Sequence, residues 1–291
     1  MKKIAWIAIA AILIIGAHYF YLIRKAPTET YPDDTYLSSV AQKKAVIIVA
    51  HDDDAISAAG TITALCQDGW NIKELCFYNS SPGHTETDRT LQRQEDTRKV
   101  RDIEGLSEFS YVNLPFRHVT DTMAPAYMPL SEDQFSRQYN KDTLLYHIRK
   151  FIDDNQPTVI FTLDNNIGGY GHPDHIVISR LVLEECISRA GDTSFPVRYI
   201  YQPVFPPSME KEILEDLPVY KAAVAGYGLK MPLPDVQVNI ENVARVKKAV
   251  MEAYTTEQNS VRQIWPYYNY YPANIYFNLF NREFFKTIKL K

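Results

Sequence analysis

The chain has 291 residues, a formal net charge of −4, and 46% hydrophobic against 23% charged residues. This is an ordinary globular balance, with none of the basic excess of a nucleic-acid-binding domain, and its aromatic content argues against disorder. Once the N-terminus is set aside, about 260 residues remain, enough for one large α/β domain or a domain with an extension.

Lys2 and Lys3 precede an apolar run from Ile4 to Gly16, which Ala17 to Ile23 continue and Arg24 and Lys25 close. The stretch is roughly 20 residues, about what spans a bilayer. It ends in Tyr19, Phe20 and Tyr21, as at a membrane interface. A cleaved signal peptide has a shorter apolar core and a clear small-x-small site, and Ile15-Gly16-Ala17 is a poor one. Residues 1–25 are therefore expected to form an uncleaved single-pass membrane anchor. The slight excess of positive charge before the run places the domain outside the cytoplasm. Residues 26–43, mostly polar and carrying the turn signal Tyr31-Pro32-Asp33-Asp34, read as a tether.

The run Ala45 to Ala50 is short, apolar and β-branched, as a fully buried strand is. His51-Asp52-Asp53-Asp54 follow it with no intervening loop. Three acids after a core strand are costly unless something cationic compensates them, and a divalent metal is the simplest candidate; a solvated helix N-terminus is the bland alternative. Ala55 to Gln67 then reads as a helix, Lys73 to Tyr78 as a strand, Asn79 to Asp88 as a polar loop over the strand ends, and Arg89 to Glu104 as a charged helix. Phe109 to Leu114 and Thr158 to Leu163 read as strands, with a helix over Thr143 to Asn155 between them. This alternation predicts an α/β fold with a mostly parallel sheet flanked by helices, in which ligands bind at the carboxyl ends of the strands. No G-x-G-x-x-G follows the first strand, so a dinucleotide site has little support. Cys66, Cys76 and Cys186 lack CxxC spacing and read as buried thiols, with a pair left open in an oxidising compartment.

After the Thr158–Leu163 strand comes Asp-Asn-Asn-Ile-Gly-Gly-Tyr-Gly-His-Pro-Asp-His, residues 164–175. With Pro173 early in a helix, His172 and His175 share one face of its first turn, and Gly168, Gly169 and Gly171 permit close backbone approach to a ligand. A helix cap is the alternative role for one of these histidines. Together, His51-Asp52-Asp53-Asp54 and Gly171-His172-Pro173-Asp174-His175 resemble the paired motifs of the PIG-L/LmbE-like zinc N-deacetylases, over roughly residues 44 to 260. The resemblance implies a Rossmann-like fold with His51, Asp54 and His175 as zinc ligands and a fourth position open. It implies Asp53 as general base, His172 as oxyanion stabiliser, Tyr170 near the carbonyl oxygen, and Asp174 orienting a histidine. It also makes Arg93 and Asp121 substrate-binding candidates, Arg93 having a solvated helix arginine as its alternative, and matches Lys248-Ala249 to Gln258 to a late helix of the family. Asp52 stands where the family has proline, and Ala55 where many members have glutamate. Asp52 costs little if it faces outward.

Toward the C-terminus, Arg198 to Pro203 reads as a strand, Val219 to Tyr227 as a strand pair and Val243 to Tyr254 as a helix. Residues 261–291 are dense in aromatics, from Trp265 to Phe285, and read either as a flap packed on the domain or as a surface for sugar rings or membrane. The expectation is a membrane-anchored, zinc-dependent hydrolase that removes an N-acetyl group from an amino sugar in a glycan or glycoconjugate. An amidase acting on another N-acyl or thiol conjugate and a non-catalytic glycan-binding domain are the alternatives.

Overall fold

The computed structural model describes residues 2–78, 88–113, 117–118 and 123–291. The expected loop over Asn79 to Asp88, except for Asp88 itself, and Asp121 lie outside the described residues.

The sheet has seven strands: β1 (Lys44–Val49), β2 (Asn71–Tyr78), β3 (Glu108–Asn113), β4 (Val159–Phe161), β5 (Tyr199–Pro203), β6 (Val236–Asn239) and β7 (Arg282–Lys289). Their order is β3-β2-β1-β4-β5-β7-β6. The first five in that order pair in parallel, and β7 pairs antiparallel with both β5 and β6. The chain therefore winds one way from β1 to β3 and the other way from β4 to β5. The strand order reverses between the neighbours β1 and β4, where an open α/β sheet leaves a crevice at its carboxyl edge.

Alternation along β1 sorts its side chains between two cores. Val46 and Ile48 pack with the helices α4 (Lys141–Asn155) and α5 (Pro173–Arg189), through Leu144, Ile148, Ile152, Val177 and Leu181. Ala45, Ile47 and Val49 pack on the opposite face with Ile62 and Leu65 of α2 (Ala59–Gln67). The predicted helix over Ala55 to Gln67 is present in two parts, a 3-10 turn Asp54–Ala58 followed by α2. The charged helix α3 (Asp88–Glu104) lies between β2 and β3 in the chain.

Two elements differ from expectation. Val219 to Tyr227 is helical, not a strand pair: Pro218 opens the helix Pro218–Tyr227 at its first turn, where its fixed φ fits, and three alanines propagate it. Residues 282–289, expected within a C-terminal extension, are a strand inserted between β5 and β6. The aromatics before and in that strand are core: Trp265, Tyr268, Tyr276, Phe277, Phe280, Phe284 and Phe285 are buried, whereas Tyr270 is exposed. The three cysteines are unpaired.

The N-terminal helix α1 spans Lys2–Lys25. Among the described residues no helix is long and apolar enough to cross a membrane, so the expected spanning anchor finds no support here. The last two turns of α1 are committed to protein: Leu22 is buried in the core, Lys25 Nζ donates to the Glu212 carbonyl, and the His18 ring stacks on Tyr271.

Candidate active site

Two loops meet at the crevice between β1 and β4. The first turns sharply after β1, and the Asp54 carboxylate folds back so that Oδ2 accepts from the amides of Ala50 at 3.1 Å and His51 at 2.8 Å. Its other oxygen, Oδ1, is left facing the crevice. The second loop is knitted by Asp164, fully buried at the end of β4, which accepts from the amides of Asn166, Ile167 and Gly169. The chain then passes Gly168 (φ +59°) and Gly171 (φ +112°) to His172, which caps α5 by accepting the Asp174 amide on Nδ1. These glycines serve close approach to protein. A Cβ on Gly168 would lie 2.5 Å from that of His175, and one on Gly171 would lie 2.4 Å from that of Ala223.

The result is a convergence of donor atoms. His51 Nδ1 lies 2.9 Å from His175 Nε2; Asp54 Oδ1 lies 3.0 Å from His175 Nε2 and 3.6 Å from His51 Nδ1. Ligand atoms about 2.0–2.2 Å from a tetrahedral zinc stand about 3.3 Å apart, so these three fit one ion. The other ring nitrogens hold the tautomers: His175 Nδ1 donates to the Gly168 carbonyl at 2.9 Å, and His51 Nε2 faces Asp174 Oδ2 at 3.3 Å. Both lone pairs then point to the common centre. His172 belongs to the same cluster, since one nitrogen from each of His51, His172 and His175 can be chosen with all three inside 4.8 Å. Two imidazoles and a carboxylate are a donor set suited to zinc.

The field favours a cation there. Burial lowers the His51 imidazole, but the Asp54 and Asp174 carboxylates outweigh it and raise its pKa well above the ordinary value. Against its own burial, His175 and His51 hold the Asp54 carboxyl well below the carboxylate range. Burial pushes His172 down to about 3, so it is a neutral imidazole; with Nδ1 accepting the Asp174 amide, its Nε2 carries the hydrogen. Burial, with Asp54 and Asp52 close by, pushes the Asp53 carboxyl up to about 6 against the pull of Arg93. Burial also raises the Tyr170 phenol, which stays protonated, and its ring stands edge-on to His175 at 5.0 Å.

The structure brings His51, Asp53, Asp54, Tyr170, His172 and His175 together, with Asp174 Oδ2 facing the His51 ring. Asp174 Oδ1 accepts from Tyr139 at 2.5 Å and from Arg117 at 3.1 Å. Asp52 does not face outward. It is fully buried, accepting from Arg93 Nε at 2.6 Å and Thr97 Oγ1 at 2.8 Å, while Tyr254 donates to its carbonyl. Arg93 and Thr97 on α3 supply the cationic and hydroxyl compensation that proline would not need. Arg93 is therefore not a solvated helix arginine. Its guanidinium reaches Asp52, Asp53 Oδ1 at 3.1 Å and Glu257 at 2.8 Å, and so positions the Asp53 carboxylate.

Sequence reasoning missed Arg117, Tyr139, Thr97, Asp164, Tyr254 and Glu257. Asp164 had a local signal, an acid opening a glycine-rich turn. The others sit far apart in the chain and carry no spacing.

Comparison with known proteins bears on this cluster. The GlcNAc-PI de-N-acetylase (PIG-L) family model matches residues 46–186, a segment that holds both loops. A 1D-myo-inositol 2-acetamido-2-deoxy-alpha-D-glucopyranoside deacetylase of Thermobifida fusca is 41% identical over 59 residues, which is 20% of this chain and 20% of that protein. The matched stretch thus spans about a fifth of that relative's length. Among solved structures, the 4-carboxy-2-hydroxymuconate hydratase of Pseudomonas putida superposes with a TM-score of 0.53 at 16% identity, over 84% of this chain and 96% of that one. The N,N'-diacetylchitobiose deacetylase of Pyrococcus horikoshii superposes with a TM-score of 0.50 at 16% identity, over 88% and 94%. At that identity the superpositions establish the shared fold, and the fold alone hosts both a hydratase and a deacetylase.

Proposed function

We propose, from the match of residues 46–186 to the PIG-L family model and from the site's geometry, that the chain is a zinc-dependent N-deacetylase acting on an N-acetylated amino sugar in a glycan or glycoconjugate. The observation that carries the reading is the convergence of His51 Nδ1, His175 Nε2 and Asp54 Oδ1 beside the carboxylate of Asp53. His51, Asp54 and His175 would hold the ion, which when bound supplies a Lewis acid for the amide carbonyl and lowers the pKa of a water.

The chain's own residues do the rest. Asp53, with its carboxyl near 6, is ionised at neutral pH and accepts a proton from the attacking water. Arg93 holds that carboxylate in place. His172, neutral and with hydrogen on Nε2, donates to the carbonyl oxygen as negative charge develops there, and the Tyr170 hydroxyl is a second donor. Asp53 then returns its proton to the departing nitrogen, so a neutral amine and acetic acid leave, and the acid's own proton then passes to the amine or solvent to give acetate.

The test is acetate release from N-acetylglucosamine conjugates by the purified protein, with zinc titrated in. Asp53→Asn is expected to lose about 10²–10⁴-fold in kcat while zinc affinity, measured separately by competition with a chromophoric chelator, stays within a few fold. Full activity in Asp53→Asn, or a protein that binds no metal, overturns the reading. A glycan-binding role without turnover is disfavoured because binding has no use for an aligned base.

A further inference from the structure

Away from the site, a cleft of about 350 Å³ lies where the end of α1 meets the C-terminal aromatic segment. Small-molecule sites run from roughly 300 to 1,000 Å³. The walls include Tyr21 and Lys25 of α1, Glu212, Arg262 of the helix Gln258–Ile264, Tyr267 and Tyr270. Gln263 borders both this cleft and the cavity of about 110 Å³ that opens beside Asp53, Asp54 and Tyr170. None of the six wall residues lies within residues 46–186, so the cleft is built outside the segment that the family model matches.

Most aromatics of the C-terminal segment are core, but Tyr270 is 74% exposed and Tyr267 is 37% exposed. Tyr267 is also one of two described non-glycine residues with a left-handed backbone, at φ +64°. The other, Gln156, is the cap that ends α4, a common place for that conformation, whereas Tyr267 precedes a single 3-10 turn. A bulky residue held there costs energy, and such strain gathers at ligand-holding segments. Here it sets the Tyr267 ring edge-on to His18 at 4.5 Å, to Tyr21 at 5.9 Å and to Tyr270 at 5.9 Å. The rings are thus arranged in advance, which leaves little side-chain freedom to lose on binding.

The polar groups of the cleft carry both signs and are not spent on one another. No ion pair ties Arg262 or Glu212 to another described residue. Lys25 Nζ donates to the main-chain carbonyl of Glu212, which leaves the Glu212 carboxylate as an acceptor. An anionic ligand is repelled by that carboxylate, and a cationic one by Lys25 and Arg262. A neutral ring rich in hydroxyls suits all three, because each hydroxyl both donates and accepts. Its C–H faces can lie against the tyrosine rings, and Gln263 and Asn269 add amide donors and acceptors.

We infer that this cleft is a remote subsite for a neutral sugar ring of an oligosaccharide, held while another ring of the same molecule presents its acetamido group to His51, Asp53 and His172. The inference rests on the deacetylating reading of the site and adds to it the length of glycan that is recognised.

The probes are β-1,4-linked N-acetylglucosamine oligomers of two to six units. With the zinc-loaded full chain, kcat/KM is expected to rise about tenfold or more once the oligomer reaches both places, the scale set by one well-placed aromatic anchor. Tyr270→Ala and Arg262→Ala change exposed side chains outside the catalytic cluster. Each is expected to remove most of that rise and to leave the two-unit oligomer unaffected. A flat length profile with normal acetate release overturns the subsite and leaves the deacetylating reading standing. Binding of the six-unit oligomer is also measured calorimetrically on the full chain without zinc. Saturable binding that Tyr270→Ala weakens about tenfold supports the subsite even if no acetate is ever released, in which case only the deacetylating reading fails. Absence of binding overturns the subsite, as does tighter binding of a uronic-acid oligomer or of fully de-N-acetylated glucosamine oligomer than of the neutral one.

Discussion

Asp174→Asn tests how the site is held, because Asp174 touches the ion's proposed ligand without reaching the centre itself. The carboxylate is 1% exposed, faces His51 Nε2 at 3.3 Å, and accepts from Tyr139 and Arg117 on its other oxygen. An asparagine keeps the shape and removes the charge. Two separable losses follow. The His51 ring loses the partner that fixes its tautomer, and such partners are worth about 10–100-fold in metal affinity, or about 1.4–2.7 kcal/mol. The Arg117 guanidinium, whose side chain is 3% exposed, loses its carboxylate, and breaking one partner of a buried pair costs about 3–5 kcal/mol. The amide oxygen can still accept from Arg117, which places the expected stability loss at the lower end of that range. Zinc affinity by chelator competition and urea denaturation of the metal-free protein measure the two terms independently. Adding Arg117→Met to Asp174→Asn is expected to restore part of the stability and none of the metal affinity. Wild-type zinc affinity in Asp174→Asn refutes the argument, whatever happens to stability.

Three further predictions follow from the surrounding network. Arg93→Gln leaves the fully buried Asp52 without its guanidinium and is expected to cost about 3–5 kcal/mol in chemical denaturation, with loss of turnover as Asp53 is freed to rotate. Glu104 is buried, and burial, with Glu283 nearby, pushes its carboxyl up to about 8 from its ordinary value of 4.5. The folded chain then holds a proton that the unfolded chain has released, so this contribution is fully present below about 4.5 and is lost as pH rises toward 8. It amounts to on the order of 4 kcal/mol over the window, and Glu104→Gln is expected to flatten that part of the stability–pH curve measured by urea titration. Gly168→Ala combines a left-handed φ of +59° with a Cβ 2.5 Å from that of His175, and is expected to weaken zinc binding more than tenfold by displacing that ligand; unchanged affinity counts against the described loop.

The alternating pattern of strands and helices was legible because buried parallel strands must be short apolar runs, and Ala45 to Ala50 is one. The site's reactive groups were legible for a related reason. A carboxylate cluster directly after such a strand, and a His-x-x-His step opening a helix, each violate core composition locally, so each shows in one dimension. Pro173 at the helix start even set the helical turn that brings His172 beside His175, their rings stacked with centroids 5.0 Å apart.

Tertiary structure decided what a one-dimensional pattern cannot carry. Whether Asp52 faced water or protein depended on Arg93 and Thr97, some 40 residues along the chain. Arg93 read from sequence as a substrate contact or a solvated helix arginine, and only the fold sets Asp53 and Glu257 around it. The role of residues 282–289 depended on antiparallel pairing with β5 and β6, and alternation by itself does not name a strand's neighbours. The aromatic cleft is the furthest case, since an empty volume belongs to no residue and exists only where walls from distant segments fail to meet. Local chemistry is written in neighbouring residues; charge compensation and cavities are properties of the packed chain.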